Sequence, residues 1–299
     1  MQKEPEALRE DLEGARRRFD AACEALRADL HRFCTRMLGN PCDGEDVLQD
    51  VLVLAFYRYA ELRDGAAFRP WIFRIAQNKC IDFLRGRRHY EALEEEPIED
   101  DERTAEEALD HKHRAERALT GIVVDLPPKE RACLILKDVL DWTLEETAEA
   151  MGSTVGAVKA ALHRGRGKLD ASNPAATTRP LPAAERAVIE RYLEAFNRRD
   201  WDAVTKMLAD EARLHVVHRV ETPFKDACYF INYGKLTWQW KLALAYVDGV
   251  ECVVHYKNID GTWTPHAVIQ LEVEDDRVSL VRDFVHVDYL LDASSVVRA

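Results

Sequence analysis

The chain has 299 residues, 47% of them hydrophobic and 32% charged, and a formal net charge of −12. That length predicts two or three domains, and its seven cysteines, with no C-x-x-C pair and no clustering with histidine, argue against a disulfide scaffold or a metal site and for reduced thiols. No apolar run is long enough to span a bilayer and no signal peptide is evident, so a cytoplasmic protein without a membrane partner is expected.

In chain order, Leu8, Leu12, Phe19, Ala22, Leu26, Leu30, Phe33 and Met37 recur at helical spacing and predict a long first helix. A second helix is predicted over Asp43–Phe56, with Val47, Leu48, Val51, Leu52 and Ala55 as its packing face. Asp46, Gln49 and Asp50 lie off that face. Such an acidic face is commonly just solvated, but beside DNA-binding helices it suits a protein-docking surface. From Phe68 to Arg88 the chain is net +5, with Arg69, Arg74, Lys79, Arg85, Arg87 and Arg88 opposed only by Asp82. Basic charge interleaved with Trp71 and Phe73 suits single-stranded nucleic acid, where cations follow the backbone and rings stack on bases. Trp71 shares a face with Ile75 and equally suits the core.

The overall negative charge is concentrated. Glu91–Asp110 holds eleven acids and one base, a net of −10, which leaves about −2 for the rest. This stretch cannot bury enough apolar surface to order itself and reads as a linker over 91–117.

Asp141–Leu169 then reads as a helix-turn-helix. Thr143 and Glu146 have capping-box spacing, Leu144, Ala148 and Met151 follow at helical spacing, and Gly152 permits a turn. Ser153 or Thr154 can cap the next helix, whose stripe is Val155, Val158, Leu162 and Leu169. Lys159, His163, Arg164, Arg166 and Lys168 lie off the stripe, the layout needed for a helix that enters a DNA groove with cations towards the phosphates. Gly165 and Gly167 weaken the end of this helix.

After a proline-rich linker, 171–182, two amphipathic helices are expected from Val188, Ile189, Tyr192, Leu193 and Phe196 and from Trp201, Val204 and Leu208. The period then changes to alternation: Leu214–Val220, Leu242–Val247, Val250–Tyr256, Trp263–Val273 and Val278–Val287 read as strands, with hairpin signals at Asp248-Gly249, Asp260-Gly261 and Asp275-Asp276. Helices followed by a strand meander predict an α+β domain. Trp238, Trp240, Tyr246, His255 and His286 are candidate pocket residues, with Tyr256, His266, Asp283 and Tyr289 as further candidates for its wall. Asp283 and His286, three apart on a strand, should face opposite sides, which argues against an acid–base pair.

The runs DGEDVLQDV (43–51), FRPWIFRIAQNK (68–79) and LPPKER (126–131), followed by the helix-turn-helix, resemble bacterial RNA polymerase sigma factors of the extracytoplasmic-function type. The resemblance implies a sigma region 2 domain with an N-terminal helical extension over 1–90 and a region 4 domain over 118–170. It implies that Asp46, Gln49 and Asp50 dock on core RNA polymerase. The loop Glu61–Ala67 and the helix carrying Arg69, Trp71, Arg74, Asn78, Lys79, Arg85, Arg87 and Arg88 would melt and read the minus-ten element. The helix carrying Thr154, Lys159, His163, Arg164, Arg166 and Lys168 would engage the minus-thirty-five element. The family usually has a serine–arginine pair where this chain has Ala160-Ala161, which removes a guanine-contacting arginine.

Residues 183–299, opening AERAVIERYLEAFNRRDWDAV, resemble SnoaL-like domains of the nuclear-transport-factor-two superfamily. The expected architecture is therefore multi-domain: two all-α domains, the second a helix-turn-helix, then an α+β cone-shaped SnoaL-like domain. The expected partners are core RNA polymerase and promoter DNA, double-stranded and melted, with a small-molecule ligand of the cone as a further candidate. No cofactor, metal or catalytic residue is expected; the cone is expected to regulate in cis. Two other readings account for less of the chain: a ligand-responsive one-component DNA-binding regulator, and a SnoaL-type enzyme carrying a DNA-binding module.

Overall fold

The computed structural model describes residues 3–59, 62, 67–91, 126–171, 179–292, 294 and 296–298. The acidic run 92–117 therefore lies outside the described residues, as do most of the loop 61–67 and the linker segment 172–178. Contact clustering divides the chain into Met1–Thr177 and Thr178–Ala299.

The first unit opens with α1 (Lys3–Leu38), α2 (Pro41–Arg58) and α3 (Phe68–Glu91). Leu30, Phe33, Cys34 and Met37 of α1, Leu48 and Val51 of α2, and Ile72 and Ala76 of α3 are fully buried where the three helices meet. Asn40 caps α2 by accepting from the Cys42 amide at 2.8 Å. Gly44 is required by the approach of α1: a Cβ there would lie 2.7 Å from the backbone nitrogen of Thr35. At the other end of α2, Phe19 packs edge-on against Phe56, Tyr59 and Phe68.

The same unit continues with α4 (Pro128–Leu134), a π-helical turn (Ile135–Val139), α5 (Leu144–Ala150) and α6 (Val155–Ala171). The Thr143–Glu146 capping box is present in both directions, Thr143 N donating to Glu146 Oε2 at 2.8 Å and Glu146 N to Thr143 Oγ1 at 3.1 Å. Gly152 takes φ +57° in the turn, and Thr154 caps α6 by accepting from Ala157 N at 3.2 Å. Leu134, Ala148, Val158, Ala161 and Leu162 form the local core. Gly165 sits against Leu134, whose Cδ1 would be 2.7 Å from an added Cβ. The glycine that weakens α6 in isolation is thus what lets α4 pack against it.

The second unit has α7 (Ala183–Asn197), α8 (Trp201–Lys206), β1 (Leu208–Val216), β2 (Val220–Pro223), α9 (Tyr229–Gly234), β3 (Trp240–Val247), β4 (Val250–Ile259), β5 (Thr262–Glu274), β6 (Arg277–Asp283), α10 (Tyr289–Asp292) and β7 (Val296–Arg298). The seven-stranded sheet has the order β2-β1-β6-β5-β4-β3-β7. The three hairpin signals hold left-handed residues at both central positions: Asp248 and Gly249 at φ 48° and 80°, Asp260 and Gly261 at 49° and 86°, Asp275 and Asp276 at 49° and 60°. Those are the primed turns that match strand twist.

Four expectations are corrected here. The run 214–220 is not one strand: His218 takes φ +66° and the chain turns between β1 and β2. Leu208 opens β1 rather than closing α8. β1 pairs with β6 in parallel, so the sheet is mixed rather than a simple meander. The linker is shorter than 171–182, because α6 runs to Ala171 and the chain is already bound to the sheet at Arg179. Arg179 N donates to Gly249 O at 2.7 Å, Glu251 N donates to Arg179 O at 2.9 Å, and Leu181 N donates to the buried Glu251 carboxylate at 2.9 Å.

Candidate polymerase and nucleic-acid interface

Asp46, Gln49 and Asp50 share a face of α2, as their helical spacing requires. Asp50 is exposed and lies 3.4 Å from Lys79 Nζ of α3, while Gln49 Nε2 donates to Glu45 Oε1 at 2.6 Å. The stripe continues into Val53 and Tyr57, 57% and 78% exposed. Sequence reading left these two out because their helical positions resemble packing positions. Large apolar side chains left open beside an acidic face suit a protein partner better than water.

On α3, Asn78 and Arg85 are exposed, and Arg85 Nη1 lies 3.7 Å from Asp82. Arg87 approaches Asp43 at 3.8 Å. Trp71 is half-buried with its ring tilted on Phe68 at 5.7 Å, so it belongs partly to the core. The Arg88 side chain lies outside the described residues. Arg69 and Arg74 are turned towards α5: Arg69 Nη1 is 3.3 Å from Glu146 Oε1, and Arg74 Nε donates to Ala150 O at 3.3 Å.

The cations of α6 divide into two sets. Thr154, Lys159 and His163 are exposed, together with Ala157 and Ala160. The other three are tied to the preceding helices. Arg164 Nε donates to Glu130 at 2.7 Å, Lys168 lies 3.3 Å from the same carboxylate, and Arg166 donates twice to Asp138 at 2.6 and 3.0 Å. The bidentate bond holds the Arg166 pKa above its ordinary value. A flat list of basic residues off the apolar stripe could not separate these sets, because the acceptors come from α4 and the π-helical turn. Ala161 is buried in the core cluster, so at this position the missing arginine is a matter of packing; Ala160 is on the open face.

In the second unit, Trp238, Trp240 and His255 come together as expected, joined by Tyr233 and His266. Trp238 stacks on His255 at 5.3 Å, and Tyr233, Trp240 and His266 surround the same imidazole at 5.2, 5.7 and 5.3 Å. Tyr246 and His286 are not brought in. Leu242 faces His255 in the β3–β4 register, whereas Tyr246 faces Glu251, about 13 Å along the strand. His286 is exposed, beyond the end of β6.

Asp283 is fully buried and accepts from Tyr229 Oη at 2.8 Å and Tyr233 Oη at 2.9 Å on one oxygen, and from Val285 N at 3.0 Å on the other. Burial raises its pKa, and the two phenol bonds and the amide bond work against that shift. The phenols' own pKa values are raised by burial and by the carboxylate. The sequence reading missed this network because α9 carries no long amphipathic pattern.

Burial, then His266 and Arg199, push the His255 pKa down to about 3. The imidazole is therefore neutral in the fold while the unfolded chain takes up a proton near 6.5. Its contribution to stability is present above pH 6.5 and is lost as pH falls towards 3, at about 1.4 kcal/mol per pH unit. Asp283, raised from 3.8, acts in the opposite sense. His255→Leu should accordingly flatten the acid-side loss of thermal stability of the second unit, read by calorimetry of the full chain between pH 7 and pH 4. An unaltered pH slope in the variant would show that His255 does not control it.

The helical geometry is matched by known families. The chain matches "Sigma-70 region 2" over residues 23–90 and "Sigma-70, region 4" over residues 116–169. Over 313 aligned residues it is 30% identical to the ECF RNA polymerase sigma factor SigG of Mycobacterium tuberculosis, covering 93% of this chain and 84% of SigG. The crystal structure of the extracytoplasmic-function sigma factor SigJ of M. tuberculosis aligns with 88% of this chain and 95% of its own at 18% identity and a TM-score of 0.34. An NTF2-like protein of Cytophaga hutchinsonii aligns with 33% of this chain and 87% of its own, at 13% identity and a TM-score of 0.25.

The protein is thus of the sigma-70 class, with an NTF2-like C-terminal unit. It belongs to the extracytoplasmic-function RNA polymerase sigma factors: it binds core RNA polymerase and directs promoter recognition. Sigma factors of this family are not enzymes. No helix among the described residues is long and apolar enough to cross a membrane.

Proposed function

We propose that residues 1–90 and 118–170 divide the work of initiation and that the SnoaL-like unit regulates them in cis from the cytoplasm without catalysis. Asp46, Gln49 and Asp50 dock on core polymerase, with Val53 and Tyr57 extending the contact. The α3 residues Arg69, Trp71, Arg74, Asn78, Lys79, Arg85, Arg87 and Arg88 engage the melted minus-ten strand. On α6, Thr154, Lys159 and His163 form the leading contact with the minus-thirty-five duplex, and Arg164, Arg166 and Lys168 are secondary. A non-catalytic second unit is supported by Asp283, whose oxygens are taken up by Tyr229, Tyr233 and the Val285 amide. The Trp238–Trp240–His255 cluster is its candidate ligand site.

The observation that carries this reading of α6 is the division between exposed Lys159 and paired Arg166. Promoter binding measured against salt concentration tests it. Lys159→Ala should weaken binding to all sequences and flatten the slope of log affinity against log salt by about one unit. Arg166→Ala should leave the slope unchanged and lower the melting temperature of the helical unit, since it breaks a pair that fastens α6 to the π-helical turn. Equal flattening by both substitutions would remove the distinction between leading and secondary contacts.

A further inference from the structure

We propose that the free chain holds its region 2 and region 4 helices in a closed pairing, in which each domain supplies an arginine that caps a helix end of the other, and that engagement of a promoter requires this pairing to open. The proposal rests on the reading of α3 and α6 as promoter-binding helices given above.

The last carbonyls of a helix have no partner within it. At the end of α5, in region 4, those of Glu149 and Ala150 accept from Arg74 of region 2, with Arg74 Nε 3.3 Å from Ala150 O. At the end of α1, in region 2, the carbonyl of Met37 accepts from Arg131 of region 4, whose guanidinium is 2% exposed and also donates to Leu126 O at 3.0 Å. A cation at a helix C-terminus meets the negative end of the dipole as well as bare acceptors, so each contact is favourable on both counts.

Trp142 lies between the two caps. It is 1% exposed, yet it is outside the local core of region 4. Region 2 supplies its ring partners: Phe73 edge-on at 4.8 Å and the Arg69 guanidinium over its face at 4.2 Å. Arg69 is held at the same time by Glu146, the capping-box residue of α5. Separating the domains would expose a tryptophan and leave helix ends without their caps.

Closure and promoter binding exclude each other on geometric grounds. Elements at minus ten and minus thirty-five lie about 25 base pairs apart, roughly 85 Å along B-form DNA at about 3.4 Å per pair. Helices α3 and α5, joined by contacts of 3.3 to 4.8 Å, cannot serve both elements at once. Moreover, Arg69 and Arg74 are cations that the minus-ten strand requires, and in the closed pairing they are committed to α5. Polymerase and DNA would therefore select the open state by offering these groups other partners.

Energy transfer between dyes at the exposed positions 20 and 145, in the full chain with Cys228→Ser, tests the closure directly. The free chain should show high transfer that drops when core polymerase is added. Trp142→Gln and Arg131→Met should show the low value without polymerase and associate with core several-fold faster, with helical circular dichroism unchanged. Glu146→Gln keeps the cap of α5 and removes only the ion pair, so it should shift transfer part of the way. Transfer that is the same in free and polymerase-bound wild type, or that none of the three substitutions lowers, would overturn the lock. If the substitutions open the chain and core polymerase still fails to bind any version of it, the lock stands and the docking assignment of α2 falls.

Discussion

A chain carrying Asp46→Lys and Asp50→Lys is expected to lose capture of core RNA polymerase while keeping its fold. Asp50 is exposed and its neighbour Lys79 is 3.4 Å away, so reversal removes a surface ion pair worth less than about 1 kcal/mol. The packing face of α2 is on Val47, Leu48, Val51 and Ala55, and the substitutions leave it untouched. Binding is different: two reversals put like charges where the partner meets acids, and such juxtaposition costs several kcal/mol at an interface. The expected loss is therefore about a hundredfold or more in core affinity, read by co-purification or fluorescence anisotropy, with a melting temperature close to that of the unaltered chain. Unchanged affinity in the double variant would remove the docking assignment and leave the acidic face as solvated surface.

A chain stopped after Ala171 is expected to transcribe several-fold faster from the same promoter, with core binding largely intact. The end of α6 and the strap at Arg179 are separated by only a short segment, so the second unit acts on the first at millimolar effective concentration, where even a weak contact is mostly occupied. Arg179–Leu181 is part of that unit's own hydrogen bonding, and the stop leaves the α4–α6 core whole. Run-off transcription with equal amounts of full and shortened chain decides the matter. Equal rates would mean that the SnoaL-like unit does not regulate in cis, and ligand binding or an independent activity would then account for it.

Wherever a feature depends on neighbours in sequence, it was legible there. The capping box at Thr143 and Glu146, the turn at Gly152 and the three hairpin turns are set by side chains within four residues of the backbone they serve. The exposed faces of α2 and α6 follow from helical spacing alone. The Tyr229–Asp283–Tyr233 network could not be read in this way, because its members are about fifty residues apart and α9 is only six residues long. Neither could the parallel pairing of β1 with β6, since alternation gives a strand's faces and not its partner.

The sequence by itself determined the order and type of the domains, the two sigma regions and the residue stripes from which their interfaces are drawn. Local hydrogen bonding and hydrophobic period suffice for that. Only the tertiary structure decided how each cation is used. Lys159 remains exposed, Arg166 is bound to Asp138, Arg74 caps a helix of the other region, and Arg131 is buried at the end of α1. A guanidinium is charged in every one of these settings, and what it does depends on which acceptors reach it. Those acceptors are backbone carbonyls and carboxylates that the packing of other helices brings within about 3 Å, and no spacing along the chain encodes that.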